Sequence, residues 1–275
     1  MTAFGVQPPL IGITTSGQRL TGNFSLPAVY ADAVRQAGGR VILLPPGELD
    51  PKFILDLVDG LVFCGGGDID PATYNGSPHP SIYNVDSERD AFEITLARQV
   101  LATDIPVLGI CRGLEVLVIA SGGDLVPHLP DEFGEAIAHR ADQSRPIEHS
   151  VEIALDSRLA KLTGVKDMTV VSWHHQATRI VPAEWRVAAW AVDGVIEALE
   201  YEHHPWALAL QWHPELSIND PLQQGLKYSR YMMDRVQCPC QGSRSRLMTC
   251  YQHSHQLIMQ LCIAHWLTRF ISSCH

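Results

Sequence analysis

Residues 105–123, IPVLGICRGLEVLVIASGG, constrain this chain more than any other stretch. Pro106 precedes an apolar run over 107–110, the right length for a buried parallel strand. Leu114, Leu117, Val118 and Ala120 then recur at the three- and four-residue spacing of one helix face, which Gly122 and Gly123 end. Cys111 falls between the two elements, with Gly109 and Gly113 on either side. A residue at such a junction sits on a sharp turn at the carboxyl edge of a sheet, its side chain pushed into the open. The glycines remove side chains that would collide in the bend. The partial positive charge of the first helical turn favours thiolate over thiol. A plain core cysteine is the alternative, since free cysteine is among the most buried residue types. The two framing glycines at a strand-to-helix junction favour a nucleophile.

The rest of the chain supplies a sheet for that elbow. Leu10 to Thr14 reads as a first buried strand, and Ser25 with Pro27 starts a helix that Gly38 and Gly39 end. Residues 40–45 (RVILLP) form a second strand, 51–58 a short helix, 60–64 (GLVFC) a third strand, and 86–101 a helix with an acidic first turn. Strands alternating with helices imply parallel pairing, with ligands at the carboxyl ends of the strands. Past Gly123 the chain predicts loops that wall the site, then a half-exposed strand over 148–155 and another over 170–172. Asp193-Gly194 predicts a type I′ hairpin between 187–192 and 195–201, so the later edge of the sheet is expected to be antiparallel. Residues 207–212 (ALALQW) form one more buried strand.

Three polar clusters lie at the ends of these strands. Gly65-Gly66-Gly67-Asp68 follows the third strand, where backbone N–H groups can approach a ligand closely. Neither Gly-Lys-Ser/Thr nor Gly-x-Gly-x-x-Gly spacing accompanies them, so an oxyanion hole is a better use than a phosphate cradle. Ser172-Trp173-His174-His175-Gln176 follows the 170–172 strand; no Cys or carboxylate stands beside these histidines at ligand spacing, so no metal is expected. His213-Pro214-Glu215 ends the 207–212 strand. In an extended segment residues two apart face the same way, which lets Glu215 fix the His213 tautomer and makes His213 a base for Cys111.

Composition bounds the partners. The chain has 275 residues, is 46% hydrophobic and carries a net charge of −10, which argues against a nucleic-acid backbone as partner. With no basic leader pattern at the start and no apolar run near the ~20 residues of a membrane span, a cytoplasmic protein with no membrane association is expected. Residues 238–275 differ in kind: they hold five of the seven cysteines and no Asp, Glu or Lys. Cys238, Cys240, Cys250, His253 and His255 invite a zinc reading, but Cys-Pro-Cys spacing fits one tetrahedral ion poorly. The composition predicts a catalytic domain over 1–237, closed by a helix over 221–236, and an atypical, poorly ordered tail over 238–275.

Taken in order, Gly65-Gly66-Gly67-Asp68, GICRG at 109–113, SWHHQ at 172–176 and QWHPE at 211–215 resemble the class I glutamine amidotransferase-like hydrolases, in particular the γ-glutamyl-γ-aminobutyrate hydrolase group (peptidase C26). The resemblance covers about 8–236 and implies an α/β fold, a mixed, mostly parallel central sheet with helices on both faces, a flavodoxin-like sandwich. It implies Cys111 as nucleophile, His213 as base and later acid, Glu215 as its orienting partner, and backbone N–H groups of Arg112 and of Gly65 or Gly66 as the oxyanion hole. Ser172 and His174 would help hold the glutamyl group. The substrate would be a small γ-glutamyl amine such as γ-glutamyl-γ-aminobutyrate, as in polyamine and putrescine breakdown, with no cofactor; a homodimer stays open. Glu115 departs from the family's usual Gln, and its carboxylate would repel the thiolate while welcoming an α-ammonium. An α/β-hydrolase is disfavoured because its acid normally precedes its His by a long interval. A glutaminase subunit feeding ammonia to a synthase and a non-catalytic binding protein remain as alternatives.

Overall fold

The computed structural model describes residues 8–17 and 22–217; the helix expected over 221–236 and the stretch 238–275 lie outside them. Strands and helices alternate through β1 (Leu10–Thr14), α1 (Ala28–Gln36), β2 (Arg40–Leu44), α2 (Lys52–Leu57), β3 (Gly60–Phe63), α3 (Ser87–Leu101), β4 (Val107–Ile110) and α4 (Arg112–Ala120). Then come β5 (Asp124–Val126), α5 (Leu129–Phe133), β6 (Ile147–Ile153), α6 (Arg158–Thr163), β7 (Asp167–Ser172), β8 (Ala177–Ile180), β9 (Trp185–Ala191), β10 (Ile196–Tyr201) and β11 (Ala207–Leu210).

Nine strands form one sheet in the order β2-β1-β3-β4-β11-β10-β9-β6-β7. It is parallel from β2 to β11 and antiparallel from β11 to β7. Its two faces are read from the period-two alternation of the strands. Ile11, Ile13, Leu108, Ile110, Leu208 and Leu210 join Tyr30, Ala33 and Val34 of α1 on one side. Val107, Ala207 and Ala209 join Phe92, Leu96 and Val100 of α3 and Leu114 and Leu117 of α4 on the other. The result is the mostly parallel, two-sided sandwich that the alternating pattern predicts.

The register between β4 and β11 positions the site. Ile110 lies beside Leu210 in a parallel pair, so the chain emerges from both strands at the same sheet edge, carrying Cys111 and His213 out together. The Cys111 N–H donates to Leu210 O at 2.7 Å.

Three expectations are corrected. The region after Gly123 is less irregular than predicted: β5 pairs with β8 as a separate two-stranded sheet, and α5 follows. Segments of three and four residues show no periodicity to read. The hairpin at Asp193-Gly194 is not type I′, because Gly194 alone of the two has positive φ (88°). Gly194 N–H donates to Ala191 O and Ala191 N–H to Val195 O, the pattern of a type I turn closed by a left-handed glycine. Finally, the backbone after His213 is a 3₁₀ turn over Pro214–Leu216, not an extended segment.

Candidate functional site

Cys111 has φ 53° and ψ −111°, one of three non-glycine residues with positive φ among those described. Such a conformation costs on the order of 1–3 kcal/mol and persists only where the surroundings over-determine it. Here they do. A Cβ on Gly109 would lie 2.7 Å from the Gly113 carbonyl, and one on Gly113 would lie 2.1 Å from Phe63 O, so both glycines allow backbone to touch backbone across the bend.

Cys111, His213 and Glu215 lie together at the same sheet edge. Cys111 and His213 are close enough for each to shift the other's pKa, and both lie against Gly65. His213 Nδ1 lies 2.6 Å from Glu215 Oε1. A carboxylate only accepts, so Nδ1 carries a proton and Nε2 is the nitrogen left for proton transfer. The pair forms even though the backbone is not extended, because a 3₁₀ turn also folds the Glu215 side chain back toward the ring. Burial alone would pull the His213 pKa down; the charges of Glu215 and Cys111 and their hydrogen bonds outweigh it and hold the ring well above its ordinary value.

The thiol departs from the sequence expectation. Burial pushes Cys111 up, His213 and the Arg112 N–H pull it down, Glu115 pushes it up again, and the net direction is upward. The helix-end Arg112 N–H does lower the thiol, but desolvation of a cysteine only 6% exposed outweighs it.

Gly65 sits against both partners: a Cβ there would lie 2.9 Å from His213 Cε1 and 3.7 Å from Cys111 Cβ. Its N–H donates to the Tyr30 hydroxyl at 3.1 Å, and that hydroxyl lies 3.5 Å from His213 Nδ1. Tyr30 falls on the apolar stripe of α1 and reads in the sequence as core, so no signal marked it. Behind the glycine loop, Arg89 Nη2 donates to Cys64 O at 3.2 Å and to Gly65 O at 3.0 Å. Arg89 and Arg112 are both paired with the buried Glu93, and Arg112 also with Asp90. Burial would raise Glu93, but Arg112 and Arg89 outweigh it and hold the carboxyl below its usual range. Arg89 and Glu93 show an (i, i+4) charge pair in the sequence; only the fold reveals that Arg112 completes it.

Glu115 is 3% exposed, and its Oε1 accepts from Gln211 Nε2 at 3.0 Å. Burial, reinforced by the charge of Asp68, raises its pKa to about 7, against the smaller lowering effects of Gln211, Arg112 and His213. Ser172 and His174, the residues that the resemblance assigns to holding the glutamyl group, have polar partners within the fold. The Ser172 hydroxyl donates to His139 O at 2.8 Å, and the His174 ring points to Gln176 O and Glu197. From that segment it is Trp173 O that faces Cys111 Sγ, at 4.0 Å. His175 instead pairs with Asp68, at 3.0 and 3.1 Å. The fold also gives His174 the carboxylate that the sequence spacing lacks: Glu197 of β10, together with His139 and His149.

Residues 9–215 match the family model described as Peptidase C26. The chain belongs to the peptidase C26 family. It is thus one of the class I glutamine amidotransferase-like hydrolases. Within that family it is 42% identical over 225 residues to a Mycobacterium tuberculosis protein named "Putative glutamine amidotransferase", covering 78% of this chain and 72% of that one. It is 34% identical over 225 residues to a γ-glutamyl-γ-aminobutyrate hydrolase of Escherichia coli, covering 77% and 87%. A crystal structure from Thermoplasma acidophilum, of a protein described as a "putative GMP synthase" component, superposes with a TM-score of 0.57 at 17% identity, over 83% of this chain and 95% of that one, and shares the fold. Among the described residues no helix is long and apolar enough to cross a membrane.

Proposed function

We propose that this C26 member is a cysteine hydrolase that cleaves the γ-glutamyl amide bond of a small γ-glutamyl amine, releasing glutamate and the amine. The observation that supports the reading is the Glu215–His213 hydrogen bond beside Cys111, which sits on a strained elbow at the same sheet edge. The relatives named γ-glutamyl-γ-aminobutyrate hydrolase support the substrate class.

In this reading the sulfur attacks the γ-carbonyl carbon as His213 Nε2 takes the thiol proton, and Glu215 stabilises the imidazolium that forms. His213 returns the proton to the departing nitrogen, the C–N bond breaks, and a glutamyl thioester remains. Water then attacks the thioester, giving its proton to His213, and glutamate leaves as the thiol is restored. Held well above its ordinary pKa, the His213 ring is a strong acceptor for the thiol proton, and its transfer accompanies attack. The oxyanion would be met by the N–H of Arg112 and of Gly66. Because Arg89 holds Gly65 O, the trans peptide turns the Gly66 N–H to the opposite side. Gly65 is the weaker candidate for this role, since its own N–H is engaged by Tyr30.

A second reading, release of ammonia from glutamine for a synthase, is favoured by the name of the Mycobacterium relative. Glutamate release from a panel of γ-glutamyl amides, glutamine included, decides between them. Turnover of γ-glutamyl-γ-aminobutyrate or γ-glutamyl polyamines well above glutamine supports the first reading. Cys111→Ala should abolish it, and retained turnover by the folded variant ends the nucleophile assignment.

A further inference from the structure

Apart from the group at Cys111, the antiparallel half of the sheet holds a second convergence of side chains. His149 stands on β6, His174 just beyond β7, Glu197 on β10, and His139 in the segment between α5 and β6. His139 Nδ1, His149 Nε2 and His174 Nε2 lie 3.0, 3.4 and 3.4 Å from one atom, Glu197 Oε1. The four ligand atoms all fall within 4.8 Å of one another. The four side chains are 6% exposed or less.

These facing atoms are not satisfied by the protein. The three nitrogens and both Glu197 carboxylate oxygens are buried without a hydrogen-bond partner among the described residues. The far side of each ring is engaged, and by acceptors only: His139 Nε2 with Asp193 Oδ2 at 2.9 Å, His149 Nδ1 with Ser150 O at 3.2 Å, His174 Nδ1 with Gln176 O at 2.9 Å. Carbonyl and carboxylate oxygens require a proton on the nitrogen they meet. A neutral ring therefore turns its lone pair inward. Three lone pairs aimed at a buried carboxylate repel one another and it, unless positive charge lies between them.

We propose that His139, His149, His174 and Glu197 bind one divalent transition-metal ion of the zinc class. Three imidazoles and one carboxylate are a donor set that zinc takes, and a tetrahedron with bonds of roughly 2.0–2.1 Å has edges of about 3.3 Å, close to the three distances to Glu197 Oε1. The oxygens of Asp193, Ser150 and Gln176 are the outer partners that fix ring tautomers in such sites. Four protein ligands leave no open position, so the ion is structural rather than catalytic. It ties β6, β7 and β10 together and anchors residues 172–176, whose Trp173 carbonyl faces Cys111 Sγ.

The test uses the full, untagged chain. Metal is stripped with a chelator, and zinc or cobalt(II) is returned. One ion per chain is expected, with visible cobalt d–d bands but no near-ultraviolet thiolate charge-transfer band, and with a melting temperature that falls on stripping and recovers on addition. Cys238→Ser/Cys240→Ser should leave uptake unchanged, and His149→Gln should abolish it. Asp193→Asn, which keeps the four ligands, should weaken binding roughly 10- to 100-fold and guards against a ligand variant that fails to fold. Failure of the stripped wild-type chain to take up either ion would show that protons alone fill the cluster and overturn the proposal. So would a thiolate band, or full uptake by the His149 variant.

Discussion

Glu115→Gln isolates the electrostatics of the elbow. In the folded protein the carboxyl titrates at about 7 against an ordinary 4.5, because it is buried near Asp68 and the hydrogen bond from Gln211 only partly offsets this. One pKa unit corresponds to about 1.4 kcal/mol, so the displacement represents about 3 kcal/mol. The sign follows from proton binding. Between pH 4.5 and 7 the unfolded chain has released this proton while the folded chain keeps it, so stability falls as pH rises. Above pH 7 both states are ionised and the loss is complete. A glutamine keeps the acceptor for Gln211 Nε2 and does not titrate. The variant should therefore gain on wild type by about 3 kcal/mol between pH 4.5 and pH 8, roughly 6–12 °C in melting temperature for a chain of this size. Urea unfolding of both proteins across that range measures it. An equal wild-type-to-variant difference at pH 5 and pH 8 would refute the reasoning, since it would mean that Glu115 titrates normally or is neutralised by a partner.

The same substitution should raise γ-glutamyl turnover or lower the pH at which it begins, because ionised Glu115 pushes the Cys111 thiol up; an unchanged pH–rate profile would contradict this. His213→Asn should cost on the order of 10³-fold or more in kcat/KM, while Glu215→Gln should retain part of the activity through the hydrogen bond its amide oxygen still accepts; equal losses would show that the charge of Glu215 matters more than the bond. Glu93→Gln leaves Arg89 and Arg112 buried with one fewer negative charge, and should destabilise by about 3–5 kcal/mol in denaturant titration. Ending the chain at Gln237 is expected to preserve melting temperature and turnover; a drop of several degrees or a halved rate would make residues 238–275 part of the working protein.

The elbow was legible in the sequence because its constraints are local. Apolar run, glycine, cysteine, glycine and helical stripe lie within one short stretch, and tight backbone contact dictates each. The alternating order of strands and helices likewise foretold the parallel half of the sheet; the His213–Glu215 pair was also foreseen, though a 3₁₀ turn and not the expected extended backbone forms it. What the tertiary structure alone decided depends on atoms far apart in the chain. Tyr30 meets Gly65 and His213 across long sequence separations, and Arg112 reaches back to α3. Glu197, brought alongside by the antiparallel strands, gathers the His174 ring into a cluster with His139 and His149 that no sequence spacing announces. The thiol's direction of shift also escaped sequence reasoning. Desolvation is set by how much of the fold closes over a side chain, and no local pattern records that.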